Sequence, residues 1–127
     1  MAITVRDAHF PGRAPIDAYG NGGFRFAGMS HRGSLLCLPS GIYGWDGPVD
    51  GRPTELDFAK VLAEADQIEI LLIGTGRELV PIAEPLRQRL REAHIIADSM
   101  STGAAVRTYN VVLAEGRAVA AALIAVD

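Results

Sequence analysis

The sequence predicts an α/β domain in which helices pack on a β-sheet and an N-terminal β-hairpin adds a further layer. Its 127 residues match the usual length of one domain. With 49% hydrophobic residues, the chain can bury a core without disulfides or metal ions. Glycine and proline concentrate in residues 10–53, whereas helical and extended patterns alternate from residue 54 onward. We therefore expect a single domain over residues 1–127.

The N-terminal half should consist of short strands joined by turns. Phe24-Arg25-Phe26 alternates as a strand does, and residues 28–33 have the composition of a hairpin connection. The apolar run at 34–38 predicts a buried strand, and residues 42–45 predict another extended segment. Two turn signals follow, Asp46-Gly47-Pro48 and Asp50-Gly51-Arg52-Pro53.

A helix should open the C-terminal half. Thr54 is a suitable N-cap, and Glu55 and Asp57 place negative charge in the first turn, where it suits the helix dipole. The apolar stripe of this helix would consist of Leu56, Ala59, Val61, Leu62 and Ala63.

Strands and helices then alternate. The consecutive apolar residues of a strand at 68–73 suit burial on both faces of a sheet. A second helix is expected at about 82–92, with Pro85 in its first turn, where proline is tolerated. A short strand at 94–97 should follow it.

The loop at 99–105 leads into the last helix. That helix should begin after Ser101 or Thr102 and end near Gly116, and a final strand is expected at 118–126. Ser101 or Thr102 can simply cap the helix, but the same free N–H groups could also hold a phosphate or a carboxylate. Both interpretations stay open.

A second candidate loop is Gly74-Thr75-Gly76-Arg77, directly after the buried strand. Ligands of open α/β sheets lie beyond the carboxyl ends of strands, and Thr75 and Arg77 could bind an anion there. The dinucleotide fingerprint is incomplete, because Leu79 stands where its third glycine would be. The alternative is a tight turn that needs glycine for its backbone conformation.

Arg107 and Asn110 lie three residues apart and share one face of the last helix. They could orient an anion or a partner. They could equally tie the helix to neighbouring loops through structural hydrogen bonds.

No catalytic or metal-binding pattern appears. The three histidines, His9, His31 and His94, have no ligand spacing. Cys37 lies in an apolar run and reads as a core residue. Ser34 lacks the G-x-S-x-G setting of a hydrolase nucleophile. We expect no catalytic residue, no metal and no cofactor, and an enzymatic role is the less favoured one.

Charge and hydropathy bear on the partners. The net charge of −3 argues against a broad nucleic-acid surface. The start of the chain lacks the pattern of a signal peptide, and the longest apolar run, 118–126, is too short for a membrane span of about 20 residues. We expect a soluble, cytoplasmic protein. Tyr43 and Trp45 are the candidate residues for binding a protein partner, with a structural role for Trp45 as the alternative.

Four segments of the chain form a distinctive series. They are YGNGGFR at 19–25, GSLL at 33–36 with Leu38-Pro39 and Trp45, LLIGTG at 71–76, and MSTGAAVRTYNVVLAEGR at 100–117. Taken in this order, they resemble the small Mth-type domain family of unknown function, and the resemblance extends from about residue 16 to residue 124.

The resemblance implies a three-layer α/β fold around a mixed central sheet. It also implies a role in protein interaction, because this family includes an assembly factor of respiratory complex I and has no established reaction. A pocket is implied near Gly74, Thr75 and Gly76 and the start of the last helix. Ser101 stands where the family is expected to have an acidic residue, so a role based on a carboxylate is not expected there.

Two hypotheses follow. The first is a non-enzymatic binding or assembly protein with an unidentified protein partner. The alternative is a small-molecule or anion-binding domain, or a cryptic enzyme. Its candidate residues are Gly74, Thr75, Gly76, Arg77, Ser101, Thr102, Arg107 and Asn110. It requires the two loops to share one cleft.

Overall fold

The computed structural model describes residues 9–48 and 52–127, which form nine strands and three α-helices. The strands are His9–Pro11 (β1), Ile16–Gly20 (β2), Gly23–Phe26 (β3), Met29–Arg32 (β4), Ser34–Leu38 (β5), Gly41–Trp45 (β6), Ile70–Gly74 (β7), Ile96–Met100 (β8) and Val119–Leu123 (β9). The α-helices are Ala59–Ala63 (α1), Glu84–Glu92 (α2) and Thr102–Ala114 (α3), and short 3₁₀ turns at Glu55–Phe58 and Ala65–Gln67 flank α1.

The central sheet has six strands in the order β1-β6-β5-β9-β7-β8. The last strand, β9, lies in its middle: it pairs antiparallel with β5 and parallel with β7. Since β7 also pairs parallel with β8, the sheet is mixed. The parallel strands require crossover connections, which α2 and α3 provide.

A separate antiparallel sheet is formed by β2, β3 and β4 in that order. Its inner face carries Ile16, Phe24 and Phe26, which join one buried cluster with α3 and one face of the central sheet. The opposite face of the central sheet packs against Phe58, Val61 and the buried side of α2. The result is the expected three-layer α/β arrangement with an added β-layer.

Most elements lie where the sequence places them. Thr54 is the N-cap of the turn before α1, Ser101 is the N-cap of α3, and Cys37 is buried in β5. The turn expected at 46–48 contains no helix or strand, whereas Asp50 and Gly51 of the second turn signal lie outside the described residues.

Three expectations about local structure are wrong. Residues 28–33 are not one hairpin connection, because Met29–Arg32 forms β4 and the turn lies at Ala27 and Gly28, both with positive φ. His94 belongs to a turn with φ of 62°, so the strand starts later and extends to Met100. The last strand ends at Leu123 rather than Val126.

The apolar residues that the first helix buries also differ from the expected stripe. Residues 55–58 form a 3₁₀ turn, whose three-residue period brings Phe58 inward and leaves Leu56 88% exposed. Phe58 is fully buried and is the anchor that the stripe omitted.

Candidate functional site

Hydrogen bonds of the Thr75 side chain hold the loop after β7 in its turn conformation. The Thr75 hydroxyl oxygen lies 2.7 Å from the carbonyl oxygen of Glu78 and 3.1 Å from that of Met100. It also accepts the N–H of Val80 at 2.9 Å. Thr75 is only 6% exposed. Its side chain therefore shapes the turn and has its hydrogen-bonding groups engaged within the protein.

Thr102 joins this loop to α3 and to the end of β9. Its hydroxyl donates to the carbonyl of Ile124 at 2.6 Å and accepts the N–H of Gly76 at 3.0 Å. Its own N–H donates to the carbonyl of Gly76 at 2.7 Å. The side chain is fully buried. Thr102 is thus a structural link between three segments.

Gly74 permits the close approach of α3 to β7. A Cβ added to this glycine would lie 2.9 Å from the Cα of Thr102, closer than real Cβ contacts. This observation favours a packing role for Gly74 beside the ligand-binding one.

The two candidate loops share one cleft of about 400 Å³. Gly76 and Arg77 come from the loop after β7, and Ser101 and Gly103 come from the start of α3. The side chain of Ser101 accepts the N–H of Ala104 at 3.3 Å and so caps the helix. The cleft is completed by Tyr19, Val126 and Asp127.

Tyr19 reaches this cleft from β2 and was missed by the sequence analysis. A Cβ on Gly103 would overlap the hydroxyl oxygen of Tyr19, so the missing side chain at position 103 leaves room for the ring. Tyr19 lies in the segment at 19–25, but no sequence pattern indicates that it contacts a helix more than 80 residues away.

Arg107 and Asn110 line a second groove of about 390 Å³, which shares Tyr19 and Gly103 with the first cleft. The Asn110 side chain accepts the N–H of Ile16 at 2.9 Å and donates to the carbonyl of Ile16 at 2.8 Å. These two bonds hold the edge of β2 against α3, which is the structural role weighed for Asn110. Arg107 is exposed in the groove.

A third depression of about 240 Å³ lies along the three-stranded sheet. Arg25, Ser30 and Arg32 line it together with Tyr19, and the Nε of Arg25 donates to the hydroxyl of Ser30 at 3.3 Å. Both arginines are exposed. Tyr19 therefore forms part of the wall of all three depressions.

Tyr43 and Trp45, the residues expected to bind a partner, are half-buried. The Trp45 ring lies 5.7 Å from that of Phe58, and its Nε1 donates to the carbonyl of Asp57 at 2.9 Å. The Tyr43 hydroxyl lies 2.6 Å from that of Ser40, and the ammonium of Lys60 lies 4.4 Å from the ring centre. These contacts attach both residues to their own domain.

Cys37 faces Tyr109 in the core. Burial raises the pKa of the Cys37 thiol to about 12, which outweighs the hydrogen bond with Tyr109 that lowers it. Burial also raises the pKa of Tyr109, and the nearby Cys37 adds to that effect. A thiol that stays protonated is a poor nucleophile, consistent with Cys37 as a core residue.

Among residues 9–48 and 52–127, no group of three or more histidine, cysteine or acidic side chains could hold a metal ion. No helix there is both long and apolar enough to cross a membrane.

Comparison with known proteins gives a family and relatives. A family model described as a protein of unknown function (DUF498/DUF598) matches residues 16–124. The chain is 30% identical to the mouse protein named NADH dehydrogenase [ubiquinone] 1 alpha subcomplex assembly factor 3, from Mus musculus. This match covers 96% of the chain and 66% of the mouse protein.

Solved structures agree with this match. The fold is similar to a crystal structure described as an outer membrane protein from Bartonella henselae, with 67% identity and a TM-score of 0.91. The match covers 94% of this chain and 100% of that one. A Bordetella pertussis protein described as an Mth938-like domain is 26% identical with a TM-score of 0.66, over 87% of this chain and 85% of that one.

Proposed function

Because the chain belongs to the DUF498/DUF598 family, we propose that it is a protein-binding domain that helps a larger protein complex to assemble. The observation that carries this proposal is the match of 96% of the chain to a protein named as an assembly factor. The role is non-enzymatic: the chain binds and positions a partner and performs no reaction of its own. A cytoplasmic location is part of the proposal.

The geometry around Tyr19 supports a protein partner. The polar side chains of Thr75, Thr102 and Asn110 are engaged in bonds that hold the fold together. The exposed groups in these grooves include the Tyr19 ring, Arg77 and Arg107, together with the carboxylates of Asp17 and Asp127. Tyrosine and arginine are enriched among the residues that contribute most to protein–protein binding.

Affinity capture tests the proposal. The tagged full chain is expressed at native level in its own host, cross-linked and purified, and a recovered protein is then made recombinantly. We expect the two purified proteins to form a complex of defined stoichiometry in analytical ultracentrifugation. Repeated recovery of the chain alone, or candidates that do not bind when purified, would refute the assembly role. Fractionation of the same cells tests the cytoplasmic location.

A second candidate function is the binding of a small anionic ligand. It is favoured by one observation, the cleft that Gly76, Arg77, Ser101 and Gly103 share at the start of α3. Two of the N–H groups at this helix end are already used, because Thr102 donates to Gly76 and Ala104 donates to Ser101. The protein-binding role is therefore the better supported of the two.

Thermal-shift measurements with inorganic phosphate, nucleotides and carboxylic acids test this second function. A ligand in the cleft should raise the Tm of the wild-type chain but not that of an Arg77→Ala variant. Arg87→Ala, an exposed arginine of α2, is the matched control. The candidate fails if no compound shifts the Tm, or if Arg77→Ala responds as the wild type does.

A further inference from the structure

One aromatic residue lies at the centre of three neighbouring depressions. Tyr19 borders the cleft at the start of α3, the groove along α3 and the depression on the three-stranded sheet. The residue is 45% exposed. A half-exposed tyrosine at a meeting point of shallow grooves can bury much of its ring against a partner while its hydroxyl forms a hydrogen bond.

Four exposed arginines surround Tyr19. Arg77 lines the first depression, Arg107 the second, and Arg25 and Arg32 the third. We call these four residues and Tyr19 the Tyr19 surface. These five residues come from β2, β3 and β4 of the three-stranded sheet, from the loop after β7 and from α3.

These arginines carry no ion pair with the residues that the structure describes. Other arginines do form such pairs: Arg89 lies 3.4 Å from Glu55, and Arg117 lies 3.3 Å from Glu69. The whole chain has a net charge of −3, whereas this surface gathers four arginines beside two carboxylates, Asp17 and Asp127, with which they form no ion pair. Such a group attracts and orients an acidic partner through complementary charge.

Hydrogen bonds fix the backbone beneath the Tyr19 surface. Asn110 ties β2 to α3, and the N–H of Gly22 donates to the carbonyl of Val126 at 2.8 Å. A surface that keeps its shape before binding loses less conformational entropy when a partner docks.

We infer that the Tyr19 surface binds an acidic segment of the partner protein, with carboxylates contacting the arginines and an apolar or aromatic residue packing on Tyr19. This inference rests on the proposed protein-binding function. Two carboxylates in the same grooves, Asp17 and Asp127, favour a protein segment of mixed composition over a nucleic acid or a phospholipid surface, whose closely spaced phosphates they would repel.

Selection from a random peptide display library on the purified full chain tests the inference. We expect the enriched peptides to be net acidic and to contain an aromatic or large apolar residue. Raising the salt concentration from about 0.1 M to about 1 M should strongly weaken the binding of these peptides, because the screening length falls from roughly 10 Å to 3 Å. Enrichment of neutral or basic peptides, or no enrichment, overturns the inference.

Matched variants locate the binding surface. The double variant Arg77→Gln/Arg107→Gln should lower the affinity for the selected peptides by about ten-fold or more, equivalent to about 1.4 kcal/mol. Arg87→Gln with Arg91→Gln removes the same charge from α2, on the other face of the central sheet, and should leave the affinity unchanged. Equal losses in both pairs would show attraction to net charge alone and refute the assigned surface. So would tighter binding of a single-stranded oligonucleotide or of phosphatidylglycerol vesicles.

The partner found by affinity capture separates the two proposals. If the purified partner binds wild-type and Arg77→Gln/Arg107→Gln chains equally, the Tyr19 surface is wrong while the assembly role stands. If no partner is recovered, the assembly role fails and the inference fails with it.

Discussion

On one face of the central sheet, the 3₁₀ turn at 55–58, α1 and α2 pack mainly through apolar side chains, such as Phe58, Val61 and Leu90. On the other face, α3 and the three-stranded sheet share an apolar cluster but are also joined by directional bonds. Asn110 bonds to the backbone of Ile16 in β2, 94 residues away, and Thr102 joins α3 to Ile124, directly after β9 of the central sheet. Apolar contacts stabilise many similar arrangements, whereas buried hydrogen bonds favour one. The face that carries the Tyr19 surface is therefore the one whose geometry is specified by polar contacts.

The largest loss of stability is expected on the face of the central sheet that packs against α1 and α2. Phe58→Ala should lower the free energy of unfolding by about 3–5 kcal/mol, because it leaves a cavity beneath α1 and removes the ring that contacts Trp45. Chemical denaturation measures this loss. Leu56→Ala, in the same turn but 88% exposed, should change stability by less than about 0.5 kcal/mol. Similar losses for the two variants would contradict the assignment of Phe58 as the anchor.

On the polar face, Asn110→Ala should cost about 2–4 kcal/mol, since it leaves the N–H and carbonyl of the buried Ile16 without partners. Hydrogen exchange should speed up in β2 more than in β7. Gln88→Ala is the control, because the hydrogen bonds of Gln88 lie exposed on α2. A loss no larger than that of the control would mean that the Asn110 bonds do not hold β2.

High pH should lower the free energy of unfolding through Cys37, which packs in the cluster shared with α3. The pKa of Cys37 rises from 9.0 in its ordinary state to about 12 in the fold, so the unfolded chain loses its proton first. Stability is then complete below pH 9 and falls on the order of 1 kcal/mol per pH unit between the two values. Urea denaturation at a series of pH values measures this slope. In Cys37→Ala the fall should start only as Tyr109 titrates in the unfolded chain; an unchanged curve would rule out Cys37 as its source.

The smallest effect on stability is expected for Gly103→Ala. The new Cβ overlaps the Tyr19 hydroxyl, but the ring is half-exposed and can swing away. Alanine forms helices better than glycine by at most about 1 kcal/mol, which should offset part of the cost. NMR resonances of the Tyr19 ring should shift, and binding of the selected acidic peptides should weaken. Ala114→Ser, at the far end of α3, is the control; unaltered Tyr19 resonances in Gly103→Ala would contradict this packing.

Local patterns in the sequence predicted many elements because they depend on neighbouring residues. The caps at Thr54 and Ser101 follow from hydrogen bonds to the next turn, and the burial of Cys37 follows from its apolar run. Errors arose where spacing alone was ambiguous. At residues 28–33 a strand contained too few apolar side chains to stand out, and at Leu56 a 3₁₀ turn changed the helical period.

The candidate site was only partly predictable. The sequence selected both loops, and the structure shows that they line one cleft. It did not select Tyr19, Arg25 or Arg32, which come from a different sheet and meet the loops only in the folded chain. Nor did the sequence distinguish the engaged groups of Thr75 and Thr102 from the exposed Arg77, because hydrogen-bond partners such as Ile124 lie far away in the chain.

The sequence by itself determined the α/β class, the caps at Thr54 and Ser101, and the family. Each of these depends on composition, on short-range periodicity or on residues in a fixed order. The tertiary structure decided the rest: β9 inserts between β5 and β7, Asn110 holds β2, and four distant arginines gather around Tyr19. The physical reason is that strand pairing and side-chain burial depend on contacts between residues remote in sequence, which become defined only when the whole core packs.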